Sequence, residues 1–166
     1  MTVIAYHGTT QNFDSFKLPD DLYSNGILKF TGSPRQFRGL LGVYFTGSYH
    51  LAKCFTKKQW TEKNSPYLPG ARIITARLTL ERPREILPIE AAQFPFDIQA
   101  MQCRYYYYKE LWNYDSVIIA AKNPDEQYAS SMTDRTKRAY ICEYIEPQYI
   151  ILDTTKIEIL DNRLIK

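Results

Sequence analysis

Short apolar runs, separated by polar stretches that carry glycine and proline, make up most of the chain. Their β-branched and aromatic residues, bounded by turn residues, are typical of strands. The runs are Val3–Tyr6, Gly42–Thr46, Ala71–Leu80, Ser116–Ala120, Ala139–Ile145, Tyr149–Leu152 and Ile157–Leu160. The third of them shows the clearest alternation of apolar and polar positions. The pattern therefore predicts a sheet of several short strands.

Two other stretches predict helices. The segment Tyr49–Trp60 follows Ser48, a residue suited to cap a helix, and repeats its apolar residues at helical spacing. The segment Phe96–Trp112 is the second candidate, although its run of tyrosines has modest helix propensity. Residues 10–38 and 121–139 are polar and irregular and are interpreted as loops. Strands with one or two helices predict an α+β fold.

Composition limits the class of protein. A length of 166 residues favours a single domain over residues 1–166. The net charge of +3 is well below that of a dedicated nucleic-acid binder. Three scattered cysteines, Cys54, Cys103 and Cys142, form no CxxC motif, so we expect no metal site and no disulfide framework. The start of the chain has no signal-peptide pattern and no apolar run reaches membrane-spanning length, so we expect a cytoplasmic protein without a membrane partner.

The segment Tyr6-His7-Gly8-Thr9 is the first candidate for chemistry, because it follows directly on a predicted strand. By itself it is a weak signal, since a single histidine at a strand end is more often a structural hydrogen-bonding residue. Tyr44 in an apolar strand and Phe55 on a helix face are equally well explained as core residues, and Thr9 as a turn residue. What favours a functional interpretation is the combination of these segments.

Together they resemble the ADP-ribosyltransferase superfamily. The matching segments are Tyr6-His7-Gly8-Thr9, Gly42-Val43-Tyr44-Phe45-Thr46 followed by Ala52 and Phe55, and Gln148 to Ile157. More narrowly, they resemble the His-Tyr-Glu branch shared by diphtheria-type toxins, poly(ADP-ribose) polymerases and small bacterial or phage toxins. Weaker likenesses are Leu78–Leu80 with Arg82-Pro83, and Tyr114-Asp115-Ser116-Val117-Ile118 with serine where the family usually has glycine. The resemblance spans nearly the whole chain and implies a split β-sandwich of short strands with one or two flanking helices.

The resemblance also implies a substrate, NAD⁺, and a role for each matching residue. Cleavage of the bond between ribose and nicotinamide passes through an oxocarbenium-like transition state, as in glycoside cleavage. Tyr44 and Phe55 would clamp the nicotinamide ring between them. The backbone of Gly8 would bond the carboxamide, since a residue without Cβ allows close approach. His7 would hydrogen-bond a ribose hydroxyl, and Thr9 would reach the adenosine side.

One position departs from the family pattern. Where the family has its catalytic glutamate this chain has Gln148, with Glu146 two residues earlier. Three explanations are open: an inactivating substitution of a natural glutamate, use of Glu146 or Glu143 instead, or loss of transfer with retention of NAD⁺ binding. A single preorganised electrostatic group is typically worth about 10²–10³ in rate. We therefore expect the chain to bind NAD⁺ and to turn it over poorly.

The expected activity is mono-ADP-ribosylation of a macromolecule, in a toxin or phage-defence role, with an antitoxin as a possible partner. Nucleic acid, especially RNA, is slightly favoured as acceptor over protein, because of Arg135-Thr136-Lys137-Arg138 and other basic residues. The alternatives are an NAD glycohydrolase and a catalytically inactive NAD-binding or interaction module. An RNA 2′-phosphotransferase is disfavoured, because it would need several His and Arg phosphate ligands and the chain has only two histidines, His7 and His50.

Overall fold

The fold was analysed in a computed structural model, which describes residues 1–18, 41–60, 62–94, 98–121 and 146–165. Within these ranges the strands are β1 (Thr2–Thr9), β2 (Val43–Thr46), β3 (Arg72–Thr79), β4 (Pro83–Ile86), β5 (Ser116–Ile119), β6 (Gln148–Ile151) and β7 (Ile157–Leu164). The helices are α1 (Tyr49–Phe55), α2 (Pro88–Ala92), α3 (Ile98–Tyr106), a π-helical turn (Tyr107–Leu111) and a 3₁₀ turn (Thr154–Lys156). The described chain is thus an α+β fold dominated by strands.

The strands form a single mixed sheet of seven, in the order β4-β5-β6-β2-β1-β3-β7. Strands β4 and β5 are parallel and all other neighbours are antiparallel. Strands β1 and β3 pair along their whole length, from Thr2↔Thr79 to Thr9↔Arg72. Strands β1 and β2, in contrast, pair only at Tyr6↔Thr46. The sheet therefore consists of two well-paired parts, β4-β5-β6-β2 and β1-β3-β7, joined at one position.

Each face of the sheet carries its own hydrophobic core. Side chains alternate between the faces along a strand, and in β6 Ile150 belongs to one core while its neighbours Tyr149 and Ile151 belong to the other. Helices α2 and α3 cover the first face over strands β5 and β6, where Phe94, Met101, Tyr105 and Tyr108 pack on Val117, Ile119 and Ile150. The second face buries Ala5, Val43, Phe45, Ala76, Leu78, Ile118, Tyr149 and Ile151.

A buried carboxylate fixes the start of β5. Asp115 is 1% exposed, and its Oδ2 accepts the backbone N–H groups of Glu81 and Arg82 at 2.8 and 3.0 Å. Its Oδ1 accepts the hydroxyl of Ser116 at 2.8 Å, and its carbonyl oxygen accepts the N–H of Leu152 at 2.8 Å. Asp115 thereby ties the turn after β3 to both β5 and the end of β6.

Most predicted elements are present with altered bounds. The first helix ends at Phe55 rather than Trp60, and the second begins at Ile98 and becomes a π-helical turn. Strand β4 and helix α2 were not predicted, and the run Ala139–Ile145 lies outside the described residues. No helix in the described ranges is long and apolar enough to cross a membrane.

Candidate active site

Three segments that are far apart in sequence meet where the two parts of the sheet join. Thr46 of β2 pairs with Tyr6 of β1 on one side and with Gln148 of β6 on the other. Neighbouring strands lie about 4.8 Å apart, so this row from Tyr6 to Gln148 spans about 10 Å. The sequence motifs around His7, Tyr44 and Gln148 are therefore brought together at one level of the sheet.

Beyond the Tyr6↔Thr46 pair, β1 and β2 are linked by a side-chain hydrogen bond instead of backbone pairing. The Nδ1 of His7 lies 2.6 Å from the carbonyl oxygen of Tyr44. A carbonyl oxygen only accepts, so Nδ1 carries the hydrogen and donates it. On its other side, β1 continues its ladder with β3 through His7↔Ile74 and Gly8↔Ile73. The main chain of His7 and Gly8 thus has no ladder partner in β2, which leaves a split between the two strands.

The imidazole of His7 lies among three phenylalanines. Its centroid is 5.2 Å from that of Phe16, 5.6 Å from Phe45 and 6.3 Å from Phe13. Burial lowers the pKa of His7 below its ordinary value of 6.5, and the hydrogen bond to Tyr44 opposes this shift. At neutral pH the ring is therefore neutral, with the hydrogen on Nδ1 and a lone pair on Nε2. An Nε2 in this state accepts a hydrogen bond, as from a ligand hydroxyl.

The side chains of His7 and Tyr44 lie on opposite faces of the sheet. His7 contacts Phe45, and the neighbouring residue Tyr44 points the other way by the alternation of strand side chains. Tyr44 is half-buried and packs against the core that contains Ile150. Gln148 shares this face, two residues before Ile150. At the split, the His7 ring bonds the main chain of Tyr44, whereas the Tyr44 ring lies on the opposite face.

Gly8 allows helix α1 to pack directly on β1. A Cβ at this position would clash with the carbonyl oxygen of Ala52 and would lie 3.1 Å from the Cγ2 of Thr56. The contact places the last turn of α1, with Phe55, beside Gly8. The Phe55 ring is half-buried and its centroid is 5.5 Å from that of Trp60. The resemblance assigned Gly8 and Phe55 to one nicotinamide site; the contacts of Gly8 in the structure are with Ala52 and Thr56 of this helix end.

Gln148 and Glu146 differ sharply in exposure. Gln148 is 0% exposed, whereas Glu146 is exposed in the turn before β6. The N–H of Gly47 donates to the carbonyl oxygen of Pro147 at 2.8 Å, which holds this turn against the end of β2. Burial and the negative charge of Glu146 both raise the pKa of Tyr149. Among the described residues of this turn and of β6, Glu146 carries the exposed carboxylate.

Thr9 is placed at the end of β1, and its Oγ1 accepts the N–H of Gln11 at 3.1 Å. This is the turn role that its sequence also allowed, and the hydroxyl hydrogen is still available to donate. The basic cluster Arg135-Thr136-Lys137-Arg138 and Glu143 lie outside the described residues.

Sequence reasoning missed Phe13 and Phe16, which pack on His7. They fall in a stretch interpreted as loop, but two phenylalanines three residues apart, just after a strand that ends in histidine, were an available signal. Their rings lie 4.8 Å apart. Together with Phe45 they surround the imidazole with apolar surface and so favour its neutral form.

The site thus combines a neutral histidine, two half-buried aromatic rings, an unpaired stretch of strand edge and one exposed carboxylate. In the described ranges, no group of three or more His, Cys, Asp or Glu side chains is placed to hold a metal ion. This set of groups is suited to binding a flat polar ring and hydroxyl groups by stacking and hydrogen bonds. No family model, curated protein or solved structure matches the chain.

Proposed function

We propose that this chain is an NAD⁺-binding domain of the ADP-ribosyltransferase kind, with its nicotinamide site at the split between β1 and β2. The observation that carries the proposal is the convergence of the three motif segments. His7, Tyr44 and Gln148 come from parts of the chain up to 141 residues apart and lie on three adjacent strands. The described strands form one sheet joined at this point by a single residue pair, and the split β-sandwich that the resemblance implies stays a prediction.

A ligand that enters the split meets different groups from the two faces of the sheet. Tyr44 contributes an aromatic ring from one face, and Phe55 lies beside Gly8 on the adjoining helix end. The nicotinamide ring stacks on these side chains. Its carboxamide bonds the main chain of Gly8, in the manner of a strand edge that pairs with an added peptide group. From the other face, the Nε2 of His7 accepts a ribose hydroxyl.

The electrostatics of the site predict weak turnover in the present chain. Loss of nicotinamide leaves a positive charge on the ribose, which a nearby carboxylate stabilises. Gln148 carries no charge. The nearest carboxylate along the chain is that of the exposed Glu146, two residues earlier. We propose that NAD⁺ binds, that cleavage is slow, and that the remaining activity depends on Glu146.

A binding module without catalysis is the second candidate. It is favoured by the complete burial of Gln148, since a fully buried amide is suited to packing and hydrogen bonding rather than to contact with a substrate. The toxin role and the antitoxin partner are implied by the resemblance, the cytoplasmic location is expected from the sequence pattern, and all three stay predictions.

The test compares four forms of the protein: the chain as given, Gln148→Glu, Glu146→Gln, and Glu85→Gln as a control for removal of an exposed carboxylate elsewhere. Each is incubated with NAD⁺ labelled in its adenylate part and with separate pools of cellular RNA, DNA and protein. We expect Gln148→Glu to raise label transfer about 10²-fold or more. Glu146→Gln should abolish the residual activity, and Glu85→Gln should leave it unchanged.

Two other outcomes identify the alternatives. Free ADP-ribose without labelled macromolecule identifies an NAD glycohydrolase. Saturable NAD⁺ binding without cleavage in any form identifies the binding module. Because a carboxylate at a buried position costs free energy, the thermal unfolding of Gln148→Glu is measured first to establish that it is folded.

A further inference from the structure

The segment from Tyr49 to Gly70 carries an excess of positive charge. It contains the four lysines Lys53, Lys57, Lys58 and Lys63 and one acidic residue, Glu62, which leaves a net +3. The whole chain also has a net charge of +3. The lysines of α1 and of the loop that follows it therefore make this part of the chain a cationic segment.

Hydrogen bonds hold the loop in a hairpin-like shape. The N–H of Leu68 donates to the carbonyl oxygen of Thr56 at 2.8 Å, and the N–H of Lys58 donates to that of Pro66 at 3.0 Å. Lys57 and Tyr67 form a β-bridge between the two arms. The lysines of α1 and of the loop are consequently held on one side of the molecule.

Two ammonium groups share one aromatic ring on this surface. The Nζ atoms of Lys53 and Lys57 each lie 5.6 Å from the centroid of Tyr67. Lys57 Nζ also donates to the carbonyl oxygen of Lys63 at 2.9 Å. None of the ion pairs between described residues involves a lysine of this segment. Both ammonium groups thus lie around the same ring, and a bound anion is attracted to each of them.

Aromatic rings adjoin the lysines. The tilted pair of Phe55 and Trp60 and the ring of Tyr67 are all half-buried, and so part of each ring faces solvent. Lysines that contact phosphates, combined with rings on which bases stack, are the features of surfaces that bind single strands of nucleic acid. An acidic peptide would pair with the lysines but has no base to stack on the ring of Tyr67. RNA commonly presents unstacked bases in single-stranded loops and ends, which favours RNA over duplex DNA as the strand bound here.

We infer that the lysine–aromatic surface of α1 and of residues 56–60 and 62–70 binds single-stranded RNA. Phosphates lie at Lys53, Lys57 and Lys58, and bases stack on Trp60 or Tyr67. The surface includes Phe55, which belongs to the proposed nicotinamide site, so a strand held here lies next to that site. In assigning this RNA as the acceptor, the inference rests on the proposed function; the binding of RNA does not depend on it.

The test is fluorescence anisotropy of a labelled 12-nucleotide RNA of mixed sequence, without NAD⁺, over a range of salt concentrations. The double variant Lys53→Gln/Lys57→Gln should bind at least fivefold more weakly, and the slope of log affinity against log salt should fall by roughly 1.4, since each phosphate contact in a single strand contributes about 0.7. Trp60→Leu, which keeps apolar volume, should weaken binding roughly 5- to 100-fold. Circular dichroism establishes that each variant is folded.

The matched control is Arg77→Gln/Arg163→Gln, which removes the same charge from exposed positions on β3 and β7. Its RNA affinity should stay within twofold of the original. Equal losses in the two double variants would overturn the inference, because they would show attraction by net charge alone. The inference would also be overturned if an RNA duplex of the same sequence, heparin or the matching DNA strand bound more tightly than the single-stranded RNA. Failure of RNA binding leaves NAD⁺ cleavage intact, and failure of cleavage leaves RNA binding intact, so the two proposals are separable.

Discussion

His7 has the structural hydrogen-bonding role that is usual for a histidine near a strand end, but its partner could not be read from the sequence. Its Nδ1 bonds the main chain of Tyr44 at the point where the ladder between β1 and β2 stops. The same bond fixes the tautomer and leaves Nε2 as an acceptor. One residue therefore joins the two parts of the sheet and presents a hydrogen-bond acceptor at the proposed site.

Replacement of His7 by phenylalanine tests the structural role. Phenylalanine fills the space among Phe13, Phe16 and Phe45 but leaves the Tyr44 carbonyl without the imidazole donor. We expect a loss of about 1–3 kcal/mol in the free energy of unfolding, measured by urea denaturation. The same change at His50, which is exposed on α1, should stay within about 0.5 kcal/mol. A His7→Phe protein as stable as the original would contradict the role of this bond.

Asp115 predicts how the protein responds to acid. Burial raises its pKa, but hydrogen bonds from the Ser116 hydroxyl and from the N–H groups of Arg82 and Glu81 outweigh burial, so the pKa is lowered below 3.8. A carboxyl group with a lowered folded-state pKa stabilises the fold fully above its unfolded pKa and loses this contribution as the pH falls through the folded value.

Accordingly, Asp115→Asn should lower the free energy of unfolding by about 1.5–3 kcal/mol at pH 7. The difference from the original protein should shrink below pH 3.8 and vanish once the original Asp115 is protonated. Urea denaturation at several pH values measures both. Asp161→Asn, which removes one partner of an exposed ion pair with Arg163, serves as the control and should cost less than about 1 kcal/mol. If the difference in the free energy of unfolding were the same at all pH values, the stabilisation could not come from the charged form of Asp115.

At the scale of elements, the contact of α1 with β1 sets the geometry of the site. The helix begins at Tyr49, with the hydroxyl of Ser48 accepting the N–H of Leu51 at 3.1 Å, and it crosses β1 at Gly8. Its last turn then brings Phe55 beside the split. The absence of a side chain at Gly8 is thus required by packing, in addition to any contact with a ligand.

Gly8→Ala should therefore destabilise the protein by about 1–3 kcal/mol, because the new methyl group meets the backbone of Ala52 and the helix must shift. Gly47→Ala is the matched control, since a Cβ there makes only ordinary contacts of 3.4 Å and longer, to Glu146 and Pro147. Its thermal unfolding should be nearly unchanged. Equal effects of the two changes would show that the close packing of α1 on Gly8 is not what makes glycine necessary.

Elements were predictable where pattern and burial agree. The alternation in Ala71–Leu80 and the cap at Ser48 identified β3 and α1. Strand β4 was not predicted because it is short and begins with Pro83; a proline is tolerated as the first residue of an edge strand. Helix α2 is only five residues long and begins at Pro88, so it offers less than two turns of periodicity.

The site was predictable only as a set of segments. The resemblance indicated His7, Tyr44 and Gln148, but the bond from His7 to the Tyr44 carbonyl depends on which strands are neighbours and on where their ladder ends. The placement of His7 and Tyr44 on opposite faces and the burial of Gln148 likewise follow from register. Sequence periodicity carries no information on pairing between distant strands.

At the scale of the whole molecule, the split in the sheet and the cationic segment both adjoin helix α1. The split between the two parts of the sheet opens beside the end of α1, and the cationic segment begins in the same helix. The proposed NAD⁺ site and the proposed RNA surface therefore share Phe55. This arrangement predicts that a nucleotide and a polyanion bind side by side.

The measurement that tests the central claim most directly is calorimetric titration of the chain as given with NAD⁺. We predict saturable binding of one NAD⁺ per chain, with a Kd below about 1 mM. Tyr44→Leu should weaken it roughly fivefold to tenfold through loss of stacking. Tyr49→Leu, the matched change at an exposed tyrosine on α1, should leave it within twofold. Absence of binding at several times that concentration, or equal losses in the two variants, would contradict a nicotinamide site at the split between β1 and β2.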